Sequence, residues 1–136
     1  MRYLAIDYGT RRTGLAICDP NETIVSPLIV LQSEQTLSEK IGQIVKDESV
    51  EAIVLGLPLN MDDSEGPQTQ LVMKFADQLQ AHLKIPVYFQ DERLSSFGAE
   101  EKLAPANLSK AEKKKRLDAV AAAEILEAFL EQKRCQ

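Results

Sequence analysis

Short apolar runs dominate the first third of the chain. Residues 3–6 form a continuous apolar run that ends at Asp7, and residues 13–18 form a second one. Residues 23–31 are β-branched and apolar, but Pro27 removes a backbone donor and so places this third strand at a sheet edge. Turn residues separate the three runs, so we expect an antiparallel meander.

The rest of the chain alternates helical and strand patterns. Apolar residues recur at helical spacing over 37–45 and 72–83, and a short apolar run follows each segment, at 52–55 and 86–89. Such helix–strand units pair their strands in parallel. We therefore expect an α/β fold with a mixed five-stranded sheet flanked by helices. Its first three strands would be antiparallel, and its first, fourth and fifth parallel.

The last third predicts helices joined by a linker. Ser95 or Ser96 is a suitable cap for a short helix through Leu103, and residues 104–109 read as a linker. A final helix is expected over about 116–131, where Ala, Leu and Glu are frequent.

Length and composition suit one domain over residues 1–136, with 44% hydrophobic residues. No apolar run reaches the roughly 20 residues of a membrane span. We therefore expect a cytoplasmic protein with no membrane partner. Cys18 and Cys135 match no metal-ligand spacing, which agrees with a reducing compartment. The net charge of −5 alone argues against a nucleic-acid partner.

Three acids stand where a site is expected. Parallel strands in open α/β sheets place ligands at their carboxyl ends. Asp7 ends the first strand, and Glu92 follows the fifth. Asp118 heads a helical face of small and apolar residues, which would bring it to the same edge. Two alternatives remain open: Asp118 could complement the dipole in the first turn of its helix, and Glu92 could be a solvated loop acid.

Three carboxylates without a His or Cys partner suit Mg²⁺ or Mn²⁺. Two such ions activate water and stabilise the leaving oxygen in phosphodiester hydrolysis. Asp7, Glu92 and Asp118 are therefore the candidate catalytic and metal-binding residues. Bound metal would also reverse the sign of the local field, which makes a polyanionic substrate compatible with an acidic protein.

Basic residues close to these acids are candidates for binding nucleic acid. Five basic side chains and one acid fall within residues 110–116, just before Asp118, and we expect this segment to contact a phosphate backbone. Arginines near the acids could grip phosphate or pair a carboxylate. Gly9 and Thr10 could contact phosphate or form a tight turn with a positive φ at Gly9. The candidates are Gly9, Thr10, Arg11, Arg12, Arg93, Lys110, Lys113, Lys114, Lys115 and Arg116.

Four segments together resemble the YqgF family, also called RuvX, of Holliday junction resolvases. They are Asp7-Tyr8-Gly9-Thr10 with Gly14-Leu15-Ala16, Gly56-Leu57-Pro58-Leu59-Asn60-Met61-Asp62 through Pro67, Asp91-Glu92-Arg93-Leu94-Ser95, and Asp118-Ala119-Val120-Ala121-Ala122. The order and spacing cover almost the whole chain. In one departure, Asp63 stands where the family usually has glycine; aspartate tolerates the left-handed conformation.

The resemblance implies an RNase H-like fold in which Asp7, Glu92 and Asp118 bind metal. It also implies a cytosolic nuclease that matures the 5′ end of 16S rRNA. Two alternatives are a Holliday junction resolvase acting on branched DNA and a non-catalytic ribosome-assembly factor that binds nucleic acid. Actin-like and sugar-kinase ATPases share the Asp-x-Gly-Thr turn but need two such domains. No exposed apolar stripe marks an interface, so we expect a monomer or weak homodimer.

Overall fold

The structure is a computed structural model that describes residues 1–59, 62, 64–92 and 110–135, with the backbone alone over 110–117. It contains five strands and three helices in these residues. In chain order they are β1 (Tyr3–Asp7), β2 (Arg12–Cys18), β3 (Val25–Gln32), α1 (Leu37–Asp47), β4 (Ala52–Leu57), α2 (Pro67–His82), β5 (Val87–Asp91) and α3 (Lys110–Arg134).

The five strands form one mixed sheet in the order β3-β2-β1-β4-β5. β2 pairs antiparallel with both β1 and β3. β4 pairs parallel with both β1 and β5. The predicted α/β fold and strand pairing are confirmed, and β3, which contains Pro27, is an edge strand as expected.

Helices cover both faces of the sheet. Leu4, Ile6 and Leu15 point to the face that packs against α1 and α2. Tyr3, Ala5 and Ala16 point to the opposite face, where α3 packs. This alternation follows from the period of two in β-strands and explains why β1 is apolar throughout. No helix in the described residues is long and apolar enough to cross a membrane.

Two element boundaries differ from the sequence prediction. β3 begins at Val25 rather than residue 23, because the Asp19 side chain accepts hydrogen bonds from the backbone N–H groups of Thr23 and Ile24 and holds them in the preceding turn. α3 begins at Lys110 rather than about residue 116. The added residues 110–115 are four Lys, one Ala and one Glu, all of which favour helix.

Several predictions concern residues whose structure is not described. They are the short helix from Ser95 or Ser96 to Leu103, the linker over 104–109, and the substitution at Asp63. Arg93 also lies outside the described residues.

Candidate metal and nucleic-acid site

The three candidate acids come from separate parts of the chain to one edge of the sheet. Asp7 is the last residue of β1, and Glu92 directly follows β5. Since β1, β4 and β5 run parallel, both acids lie at the carboxyl ends of their strands. Asp118 lies on α3, and its charge acts on Asp7.

Glu92 lies over β4 because residue 56 has no side chain. A Cβ at Gly56 would come within 2.8 Å of Glu92 Cγ and 2.9 Å of its Oε1. It would also come within 2.6 Å of Ile125 on α3. The glycine therefore leaves room for the Glu92 side chain to cross the strand toward Asp7, with which it forms a hydrogen bond. The alternative of a fully solvated Glu92 is wrong.

Gly14 performs the matching function for Asp118. A Cβ at Gly14 would overlap the backbone carbonyl of Asp118 and lie 2.8 Å from the backbone nitrogen of Ala119. The backbone of α3 therefore contacts the backbone of β2 at Asp118 itself. Asp118 is the ninth residue of α3, so the alternative that it complements the dipole in the first helical turn is wrong.

The environment of Asp7 favours its protonated form. Burial, the hydrogen bond with Glu92, and the negative charges of Glu92 and Asp118 raise the pKa of Asp7 to about 9. Burial is the largest cause because a low-dielectric environment disfavours a charged carboxylate. A cation bound beside Asp7 would act in the opposite direction and favour its charged form.

Arg12 neutralises the third acid. Its Nε donates a hydrogen bond to Asp118 Oδ2 at 2.9 Å, across 106 positions of sequence. Both side chains are about 30% exposed. The sequence left two roles open for Arg12, phosphate binding and carboxylate pairing. In this structure Arg12 pairs with a carboxylate.

The turn between β1 and β2 is tied to the end of β3. Ser33 Oγ donates a hydrogen bond to the Gly9 carbonyl at 2.6 Å, and the Ser33 backbone N–H donates to the Arg11 carbonyl. The hydroxyls of Ser33 and buried Thr13 are 2.8 Å apart. These bonds position the turn that leads into Arg12.

Gly9 is needed in this turn for a reason other than the one predicted. It does not have a positive φ. A Cβ there would instead lie 2.5 Å from the Arg12 carbonyl oxygen. Thr10 and Arg11 are exposed on the same turn, beside the acids in sequence and open to a ligand.

The donor set is compatible in kind with a hard divalent cation. Asp7, Glu92 and Asp118 offer only carboxylate oxygens, which Mg²⁺ and Mn²⁺ prefer. Within the part of the chain that the structure describes, no three His, Cys, Asp or Glu side chains already form a metal-ion site. The three acids would therefore have to change side-chain conformation to share an ion.

The predicted basic segment forms the first turns of α3. Lys110, Lys113, Lys114, Lys115 and Arg116 all belong to this helix, which leads directly to Asp118. Their side chains lie outside the described residues. The segment is thus connected to the candidate site by continuous helix.

Sequence reasoning did not identify Gly14, Gly56 or Ser33 as residues that build the site. A glycine inside an apolar strand is a recognised signal of close backbone approach, and it applies to both Gly14 and Gly56. No comparable signal marks Ser33, since its bonds to the turn depend on the pairing of β2 with β3.

Comparisons with known proteins agree with this architecture. The family model RuvX, described as Holliday junction resolvase, matches residues 1–132. A protein of Anaeromyxobacter sp. (strain K) is 41% identical over 98% of this chain and 98% of its own length. One from Roseiflexus sp. (strain RS-1) is 38% identical over 98% of this chain and 96% of its own length. Both are named "Putative pre-16S rRNA nuclease".

Solved structures with a similar fold include two resolvases. RuvC of T. thermophilus in complex with Holliday junction substrate has a TM-score of 0.61 at 15% identity, covering 98% of this chain and 96% of that one. The fowlpox virus Holliday junction resolvase has a TM-score of 0.58 at 11% identity, covering 98% and 99%. At these identities the likeness establishes the RNase H-like fold.

Proposed function

The chain belongs to the RuvX family, and we propose that it is a Mg²⁺-dependent nuclease, with Mn²⁺ as an alternative ion, that matures the 5′ end of precursor 16S rRNA in the cytoplasm. The nuclease class follows from the family and from the names of relatives about 40% identical. Two free cysteines are consistent with a reducing compartment.

One observation carries the proposal for the site. Asp7, Glu92 and Asp118 converge at one sheet edge, and the other two acids help to raise the pKa of Asp7 to about 9, after the effect of burial. A protein that gains only stability from this edge would have an apolar residue at position 7, because a buried acid among acids is costly. Metal binding would offset that cost.

Asp7, Glu92 and Asp118 would hold the metal. Divalent ions supply a water nucleophile and stabilise the leaving oxygen of a phosphodiester. The protein's own residues prepare the site, since Gly14 and Gly56 let α3 and Glu92 approach the strands. Asp7 must release its proton to act as a ligand, so acidic pH would oppose metal binding.

The substrate would approach along the basic side of the site. Thr10 and Arg11 are exposed on the β1–β2 turn beside Asp7. The basic residues 110–116 precede Asp118 on α3. We propose that these groups, with Gly9, Arg12 and Arg93, contact phosphates of a structured RNA on either side of the cleaved bond.

The proposal is tested with purified protein and a precursor 16S rRNA 5′-end fragment. Cleavage is expected in Mg²⁺ and not in EDTA. Asp7→Asn should reduce the rate by more than about 100-fold, since loss of even an outer partner of a metal ligand costs about 10–100-fold. Asp77→Asn, the same change at an exposed acid on α2, is the matched control and should retain the wild-type rate.

A four-way DNA junction assayed in parallel separates the alternatives. Faster cleavage of the junction than of the RNA would favour a resolvase. RNA binding that survives Asp7→Asn without divalent ion, combined with no cleavage by the wild type, would contradict the nuclease and indicate an assembly factor.

A further inference from the structure

The Arg12–Asp118 ion pair occupies one of the three acids on which the proposed metal site depends. Arg12 Nε donates to Asp118 Oδ2 at 2.9 Å. Asp7 and Glu92 bond to each other, and Asp118 is paired with a cation of the protein. A divalent ion that uses Asp118 must therefore compete with the guanidinium for this carboxylate.

Arg12 also faces solvent, where a second partner can reach it. Its side chain is 29% exposed, and it begins β2 directly after the exposed Thr10 and Arg11. Guanidinium groups bind phosphate and carboxylate alike through paired N–H donors. A nucleic-acid phosphate above the turn is thus a chemically equivalent partner for Arg12.

The backbone of the β1–β2 turn is held by hydrogen bonds, whereas the Arg12 side chain is partly exposed to solvent. Ser33 holds the carbonyls of Gly9 and Arg11, and Arg12 pairs with Gln32 in the sheet. The Arg12 side chain can therefore exchange Asp118 for a phosphate by changing its rotamer, without moving the strand that carries it.

From this arrangement we propose that Arg12 controls the access of a divalent cation to Asp118 and makes cation binding and nucleic-acid binding mutually favourable. With no nucleic acid bound, Arg12 occupies Asp118 and weakens cation binding. A backbone phosphate draws Arg12 away and frees the carboxylate. By linkage, the cation must strengthen phosphate binding by the same factor. This inference rests on the proposed function of the three acids.

The test measures the two binding steps separately, so that no cleavage can occur. Mn²⁺ binding is followed by electron paramagnetic resonance of the free ion in the absence of nucleic acid. Binding of a fluorescein-labelled RNA hairpin is followed by anisotropy in EDTA. The variants are Arg12→Gln and, as a control with the same charge change on the same turn, Arg11→Gln.

Opposite effects on the two ligands are expected for Arg12→Gln. Mn²⁺ affinity should rise by about fivefold or more, the lower end of typical coupling factors. RNA affinity should fall several-fold because a phosphate partner is lost. Arg11→Gln should weaken RNA binding while leaving Mn²⁺ affinity close to that of the wild type.

Two results would overturn this inference while leaving the proposed metal site intact. An equal gain in Mn²⁺ affinity in both variants would indicate only a general effect of charge. Unchanged or weaker Mn²⁺ binding by Arg12→Gln would show that Arg12 does not compete with the ion. Absence of saturable Mn²⁺ binding in the wild type and both variants would instead contradict the metal site itself, and the inference with it.

Discussion

Glu22 and Asp7 lie at opposite ends of the sheet, and their surroundings shift their pKa values in opposite directions. At the end of the sheet where β1 begins, Glu22 lies in the turn between β2 and β3. It accepts hydrogen bonds from Lys133 Nζ at 2.8 Å and from the amino terminus at 3.1 Å. The first of these bonds is the main cause that lowers the pKa of Glu22. At the other end, burial and neighbouring acids raise the pKa of Asp7.

The difference separates a structural cluster from a candidate functional one. Cations from both chain termini surround Glu22, so the cluster fastens α3 to the β2–β3 turn. Asp7 meets the negative charges of two further acids, and one of these, Asp118, accepts a hydrogen bond from Arg12. A fold gains nothing from gathering acids at Asp7 unless a ligand compensates them. The lowered pKa of Glu22 accompanies stabilising ion pairs, whereas the raised pKa of Asp7 is typical of a functional site.

The largest expected loss of stability follows from filling the space between β2 and α3. Gly14→Ala should lower the free energy of unfolding by about 3 kcal/mol, because the new methyl group overlaps the Asp118 backbone and overpacking a core costs about 1–3 kcal/mol. Urea denaturation measures this. Cleavage should fall as well, since the helix that carries Asp118 must move.

Gly42→Ala is the matched control for that change. Its new Cβ would meet only the Leu83 side chain at 3.5 Å, an ordinary contact. Because alanine favours helix more than glycine does, stability should rise by about 0.5–1 kcal/mol. Equal stability of the Gly14→Ala and Gly42→Ala proteins would contradict the close approach of α3 to β2.

The next effect concerns Asp7 and has the opposite sign. In EDTA at pH 7.5, Asp7→Asn should raise the free energy of unfolding by about 2 kcal/mol, because the amide stays neutral without taking up a proton as the chain folds. Folding raises this pKa from 3.8 to about 9, so the unfolded chain ionises first. The resulting cost to the wild type is absent below about pH 3.8 and grows as the pH rises toward 9.

Urea denaturation of the wild type and Asp7→Asn between pH 5 and 9 checks the sign of this effect. Other groups that titrate equally in both proteins cancel in the difference between their free energies of unfolding. The stability advantage of Asp7→Asn should grow across this range. A constant difference, or a variant less stable than the wild type at every pH, would show that Asp7 does not hold its proton in the folded protein. Asp77→Asn, at an exposed position, should follow the wild type.

The smallest effect is expected at the opposite end of the sheet. Glu22→Gln removes the carboxylate that pairs with Lys133 and the amino terminus and should lower stability by up to about 1 kcal/mol, as is usual for exposed ion pairs. Because folding lowers this pKa, the contribution is present at neutral pH and lost in acid. Added salt should reduce the difference, and the cleavage rate should not change.

The sheet was predictable because its signals are local. The apolar runs, the turn residues and Pro27 specify five strands and their pairing without knowledge of distant contacts. The placement of Asp7 and Glu92 at one edge followed from the parallel pairing alone. The start of α3 was harder, since a run of lysines suits a solvated loop and a helix equally well until the turns C-terminal to it pack on the sheet.

The amino-acid sequence by itself determined the strand pattern and the family to which the chain belongs, and it pointed to the three candidate acids. Only the tertiary structure decided which charges meet: the proton at Asp7, the Arg12–Asp118 pair and the cations around Glu22. Arg12 and Asp118 are 106 positions apart, and their contact exists because Gly14 lets α3 lie directly on β2. Periodicity is a property of neighbouring residues, whereas the energy of a carboxylate depends on everything within a few ångströms of it.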